Sequence, residues 1–306
     1  MPLDYLNPSD GMCVNILNTA ARVGDAQLAT EVVRVLTKRR SKLDVHHYEA
    51  LLEAYIGSGD LKSAFRILTI MKRARLEPHE GTTRPIYSCL RQAQHLPSEA
   101  LSILKDLRKD GDVLPIAAVN CVLEAFISHN NLDEAIEQYK SLRELYPSGP
   151  NKETFNTLLQ GCSKTNRKDL AMFLASEMVA TGVRPNALTY DRLILVCLTQ
   201  EDYEDAFRYL EEMGEMVKNI RVGTWNAVVR RCVANKDPRA WRVLGSMKAR
   251  GLPTEKMQKW AYKEWFGDES GPGLEELEAC QDGYGPNEVY EEHIRGNEAP
   301  IESKVT

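Results

Sequence analysis

A chain that repeats itself every 35 residues is committed to a stack of like units. Here Thr154-Phe155-Asn156, Leu188-Thr189-Tyr190-Asp191 and Gly223-Thr224-Trp225-Asn226 each open an apolar segment. Phe155, Tyr190 and Trp225 stand 35 residues apart, and Cys162, Cys197 and Cys232 keep the same spacing. A fixed period in this range builds an array in which each repeat packs mainly on its neighbours. Such an array offers an elongated binding face rather than the single central pocket of an enzyme.

Residues 45–79 give the unit in full. His47-Tyr48-Glu49 leads into Leu51-Leu52 and Tyr55-Ile56 at helical spacing, and Gly57-Ser58-Gly59-Asp60 breaks that helix. Leu61, Ala64, Phe65, Leu68 and Met71 then mark a second helix. Arg75-Leu76-Glu77-Pro78-His79 closes the unit, because proline cannot continue a helix and disfavours it at the residue before. Residues 152–186 follow the same plan, with Gly182 placed for a left-handed cap. Working outwards gives about seven units: 10–44, 45–79, 80–115, 116–151, 152–186, 187–221 and 222–254. Ala29, Ala64, Ala100, Ala135, Ala171 and Ala206 occupy one equivalent site, where a small residue lets two helices approach. The last unit is shortened, and its Ala240-Trp241 breaks the pattern. The predicted fold class is all-α: a right-handed α-solenoid of helix-turn-helix repeats.

The flanks differ from the repeats. Residues 1–9 form a lead-in. The chain begins almost directly inside a repeat, with no transit peptide visible at Met1-Pro2-Leu3-Asp4, so a leader or further repeats are expected upstream. Residues 255–266, with Trp260, Tyr262, Trp265 and Phe266, read as a helix that caps the open end of the stack; an aromatic docking site is the rival role. Residues 267–306 hold eleven acidic against two basic residues, a balance of −9. They read as a disordered tail in which Tyr284, Val289, Tyr290 and Ile294 could form a binding segment. The remainder, with 33 acidic and 37 basic residues, carries +4, which by itself is a weak pointer to nucleic acid.

Chemistry is hard to find. The seven cysteines include no Cys-x-x-Cys, and Cys162, Cys197 and Cys232 lie on an apolar stripe, where core packing is expected over a disulfide or metal role. A zinc deaminase would need His-x-Glu with Cys-x-x-Cys. His46, His47, His79, His95, His129 and His293 are scattered without ligand spacing. Gly271-Pro272-Gly273 precedes an acidic stretch that would repel phosphate. No apolar run reaches the length of a membrane span. The expectation is a non-catalytic protein without metal, cofactor or membrane insertion.

The units resemble the pentatricopeptide repeat, whose pattern of 35 residues opens on Thr-Tyr-Asn and closes on Gly-x-x-Pro-Asp/Asn. Thr154-Phe155-Asn156-Thr157-Leu158-Leu159 through Gly182-Val183-Arg184-Pro185-Asn186 is a close match, and the resemblance covers residues 10–254. The tetratricopeptide repeat, a protein-binding relative of period 34, is the competitor; the 35-residue period and the Asn after the aromatic favour the former.

The resemblance implies binding of RNA in the concave groove, one base per repeat, read by two or three side chains. The reading pair is the residue after the opening aromatic and the last residue of the unit. Carried over, the pairs are Asn120 with Asn151, Asn156 with Asn186, Asp191 with Arg221 and Asn226 with Thr254; earlier units offer Val14 with Asp44, Glu49 with His79 and Arg84 with Pro115. The two Asn/Asn pairs match the pyrimidine-preferring pattern. For Asn156 and Asn226, near a helix start, local capping is the competing role. The phosphate-contacting position is filled by Lys164 and, as a substitute, Arg22. The wedge position between bases holds Gly11, His46, Ala117, Glu153, Leu188 and Gly223, of which only Leu188 suits it. RNA that is single-stranded or locally exposed, in a structured target or shared with a protein, fits these residues better than a long single strand. The chain is similar to fungal mitochondrial members that support small-subunit ribosomal RNA maturation and intron splicing. That implies a mitochondrial address, with the mitochondrial ribosomal small subunit or RNA-processing proteins as partners. The other expectation is a protein-binding scaffold or ribosome-associated subunit with little base reading.

Overall fold

A computed structural model describes residues 8–216 and 221–267, and every regular element among them is an α-helix. Residues 1–7, 217–220 and the acidic stretch 268–306, including the segment of Tyr284, Val289, Tyr290 and Ile294, lie outside the described residues. The helices pair into hairpins, an α-solenoid of helical repeats divided into two compact units, one ending at Pro185 and one starting at Asn186.

The first unit holds α1 (Asp10–Val23) with α2 (Ala26–Lys38), α3 (Val45–Gly57) with α4 (Leu61–Arg73), and α5 (Glu80–Leu90) with α6 (Leu96–Lys109). It continues with α7 (Ile116–Ser128) and the interrupted α8 (Leu132–Lys140) and α9 (Leu142–Leu145), then α10 (Lys152–Thr165) with α11 (Lys168–Ala180). First helices contact one another in order, α1 on α3, α3 on α5, α5 on α7 and α7 on α10. The second unit holds α12 (Ala187–Cys197) with α13 (Glu204–Met216), α14 (Val222–Ala234) with α15 (Arg239–Ala249), and α16 (Glu255–Phe266), which packs on α14.

Local chemistry sets these boundaries. The last residue of a repeat caps the first helix of the next: Asp44, His79, Asn151 and Asn186 each accept a hydrogen bond from the backbone three residues on. Such a cap stabilises a helix start by about 1 kcal/mol. Asn166 (φ 56°) and Gly182 (φ 73°) take the left-handed conformation just past α10 and α11, which turns the chain.

The core lies between the helix layers. Leu61, Ala64, Phe65, Leu68 and Met71 of α4 are all buried, as helical spacing requires. Ala29, Ala64, Ala100, Ala135 and Ala171 in the first unit, and Ala206 in the second, are fully buried. Ala240, one residue short of the period, is the fully buried alanine of α15. The apparent break in the last repeat is therefore a shift of one residue. It frees Trp241 to meet Trp265 edge-on at 5.8 Å and to stack on Phe266 at 6.4 Å.

Candidate nucleic-acid interface

The residue after each opening aromatic lies in the second turn of a first helix. In the first unit these positions are Glu49 on α3, Asn120 on α7 and Asn156 on α10; in the second they are Asp191 on α12 and Asn226 on α14.

Asn120 and Asn151 meet directly. The Asn120 amide Nδ2 donates to Asn151 Oδ1 at 3.1 Å, and Thr154 Oγ1 donates to Asn120 Oδ1 at 2.7 Å. Asn151 is also the cap of α10, accepting from the Thr154 backbone N–H at 2.9 Å, while its own N–H donates to Thr154 Oγ1 at 3.2 Å. Asn120 is only 7% exposed. Both ends of its amide are thus engaged by the start of the next repeat.

The same contact recurs. Thr82 Oγ1 donates to Glu49 Oε1 at 3.0 Å, and Thr224 Oγ1 donates to Asp191 Oδ1. In each case the third residue of a first helix reaches back 33 or 34 residues to the reading position of the preceding one. These threonine ties were missed in the sequence, although threonine at that spacing after a carboxylate or amide was a readable signal.

The second unit ends differently. The third residue of α16 is Met257, which has no hydroxyl to donate. The carbonyl oxygen of Asn226 is buried and has no hydrogen-bond partner among the described residues. Thr254, its predicted pair, stands before α16, 8% exposed and without a side-chain capping bond. Arg221, the predicted pair of Asp191, is exposed and makes no side-chain capping bond to α14.

The capping alternative belongs to other asparagines. Asn151 and Asn186 are the caps, whereas Asn156 and Asn226 lie a full turn inside their helices. Asn156 is 5% exposed in the first unit; Asn186 caps α12 in the second, accepting from Thr189 N–H at 3.0 Å. Arg22 and Lys164 are exposed in the last turns of α1 and α10, where positive charge also complements the helix dipole.

Cys162, Cys197 and Cys232 are buried free thiols, and burial pushes Cys162 and Cys232 up to about 12, leaving them protonated. Among the described residues no group of three His, Cys, Asp or Glu could hold a metal ion, and no helix is long and apolar enough to cross a membrane.

Residues 10–142 match the family model described as pentatricopeptide repeat-containing protein, and residues 150–199 match the PPR repeat family. A mitochondrial pentatricopeptide repeat-containing protein of Arabidopsis thaliana is 23% identical over 251 residues, covering 77% of the chain and 40% of the relative. A chloroplastic one from the same plant is 23% identical over 220 residues, covering 63% and 36%. The mitochondrial 15S rRNA processing factor CCM1 of Candida albicans is 23% identical over 203 residues, covering 63% and 26%. The chain spans less than half the length of these relatives.

Proposed function

Because the chain belongs to the pentatricopeptide repeat family, we propose that it is a non-catalytic mitochondrial RNA-binding factor. It acts in RNA processing, ribosomal RNA maturation, splicing or translation by holding RNA along the layer of first helices. One observation carries this reading. Polar side chains occupy the same helical step of successive first helices, Asn120 and Asn156 in one unit and Asp191 and Asn226 in the other. An amide there donates and accepts, so it can match a base edge. The mitochondrial relatives from Arabidopsis and Candida support the address, and the name of the latter supports ribosomal RNA as the target.

A second reading rests on the threonine ties. Asn120 and Asp191 already spend hydrogen-bonding capacity inside the stack, which favours a ribosome-associated scaffold with little base reading. Ultraviolet crosslinking in cells, followed by sequencing of the attached RNA, separates the two. A short pyrimidine-containing footprint at one site is expected of the RNA-binding factor. Crosslinks spread over ribosomal RNA, or none above background, would move the assignment to the scaffold.

A further inference from the structure

The second helices of the second unit leave a cleft between them. It encloses about 500 Å³, within the roughly 300–1,000 Å³ of sites that take a ligand. Phe207 and Leu210 of α13, Trp225 of α14 and Val243 of α15 line it with apolar surface. Arg239 spans one end, bonded to Glu204 of α13 at 2.7 Å and to Asp237 at 2.7 Å, so its charge is matched. At the other end Arg250, just past α15, lies 5.6 Å from the Trp225 ring centroid. It also lies against Gly214 of α13, where a Cβ would stand 2.8 Å from its Nη2. Arg242 of α15 is exposed and lines the same cleft. Neither Arg242 nor Arg250 has a carboxylate partner among the described residues. With Glu204 taken by Arg239, the exposed Glu211 is the lining acid that remains, so two unmatched cations face one acid.

We propose that this cleft receives an acidic, leucine-bearing segment of the same chain, Leu274-Glu275-Glu276-Leu277-Glu278. Composition selects it. Leu274 and Leu277 are the first large apolar residues after α16 and suit the apolar lining, and the glutamates beside them suit Arg242 and Arg250, which carboxylates meet in a fork. Reach permits it. Helix α16 ends on Phe266, whose ring stacks on Trp241, the residue before Arg242. Leu274 is eight residues beyond Phe266, a span of up to about 26–29 Å, against the roughly 10–12 Å diameter of the helix to be rounded. A tether this short holds the segment at about millimolar concentration, so a contact that is weak between separate molecules is occupied within one. A polyphosphate fits less well, because the apolar lining offers it nothing and Glu204 and Glu211 repel it. The docking goes beyond the function proposed above and holds whatever the first helices bind.

Amide hydrogen exchange of the full chain, read by mass spectrometry, tests the docking. A segment of about 0.1 mM affinity held at about 1 mM is docked about ten times as often as not. The amides of 274–278 should then exchange roughly 10-fold more slowly than in an unstructured peptide. Arg242→Glu with Arg250→Glu should abolish this protection while that of α14 persists. Adding Glu275→Arg with Glu276→Arg should restore it, which a misfolded unit could not do. Leu274→Ser with Leu277→Ser should empty the cleft and let a fluorescein-labelled peptide of residues 272–279 bind, read by anisotropy. Exchange of 274–278 at the unstructured rate in the wild type would overturn the docking. Protection that survives the arginine reversal would overturn the cleft as its place. Protection that grows with chain concentration would put the segment in the cleft of a second copy and overturn docking within one chain. A peptide that binds the wild type as tightly as the serine variant would overturn occupancy by the chain itself, leaving the cleft to an acidic segment of a partner protein.

Discussion

Thr154 shows how much one side chain does at a repeat boundary. Its hydroxyl accepts from the Asn151 backbone N–H at 3.2 Å and donates to Asn120 Oδ1 at 2.7 Å, and the residue is fully buried. Valine has nearly the same shape and no hydroxyl. Thr154→Val therefore leaves a donor and an acceptor without that partner in the interior, each costing about 1–3 kcal/mol. Partial relaxation brings the expected loss to roughly 2–4 kcal/mol, read as a lower urea midpoint at unchanged m-value. Asn120→Ala should cost about 1–2 kcal/mol, and the double variant less than the sum, because both remove the same tie. Additive losses would sink the idea that these residues act as one unit. The register of Phe155, Tyr190 and Trp225 singled out Asn156, Asp191 and Asn226 in the sequence, and the repeat boundaries singled out Asn120 and Asn151. What Asn120 bonds to was not legible, because an amide donates and accepts equally well toward a base and toward a neighbouring threonine.

Helices were the legible level. Apolar positions at i, i+3 and i+4 with Asp or Asn at the start and Gly or Asn at the end mark most boundaries, since capping and periodicity act within a few residues. Long-range contacts were not legible. Gly57 reads as a helix breaker and α3 does end on it, but its further role is to let the ends of α1 and α3 touch. A Cβ at Gly57 would meet Gly24 Cα at 2.7 Å, backbone that cannot swing away. Helix propensity would reward alanine there by at most about 1 kcal/mol, against about 1–3 kcal/mol for overpacking. Gly57→Ala should thus lower thermal stability; a rise would show that the contact is slack. A second element-scale device joins α13 to α15. The Arg239 guanidinium forks onto Asp237 at 2.7–3.0 Å and onto Glu204 at 2.7 Å, and Tyr203 donates to Asp237 at 2.7 Å. Burial alone would raise the Asp237 carboxyl, but the hydrogen bonds from Arg239 and Tyr203 outweigh it and hold the group below its ordinary value. Its stabilisation is therefore present above the unfolded carboxylate value of about 4 and is lost as pH falls through the lower folded one. Asp44 and Asp60, also held low, add the same sign of dependence in the first unit. Asp237→Asn should flatten the acid limb of stability followed by tryptophan emission, since Trp225 and Trp241 belong to the same unit. An unaltered acid limb would assign the loss to the other carboxylates.

For the whole molecule the decisive quantity is the placement of charge along the chain. Residues 267–306 carry −9, and the rest carries +4. A chain segment of modest positive charge attracts any polyanion, and an acidic segment on the same chain would compete for its cations and repel RNA that makes no specific contacts. Base stacking and amide contacts are short-ranged and escape this competition, so the acidic segment is expected to filter out non-specific binding. Truncation after Gly267 isolates the effect. It removes all eleven acidic residues of that stretch while keeping the glycine whose N–H closes α16 on Lys263 O at 2.9 Å. The truncated chain should bind unrelated single-stranded RNA more tightly than the full chain at low salt. The difference should fade near 1 M, where screening shortens to about 3 Å. Equal affinities at low salt would show that the acidic stretch does not compete with RNA, and would leave it the role of a linker or docking segment.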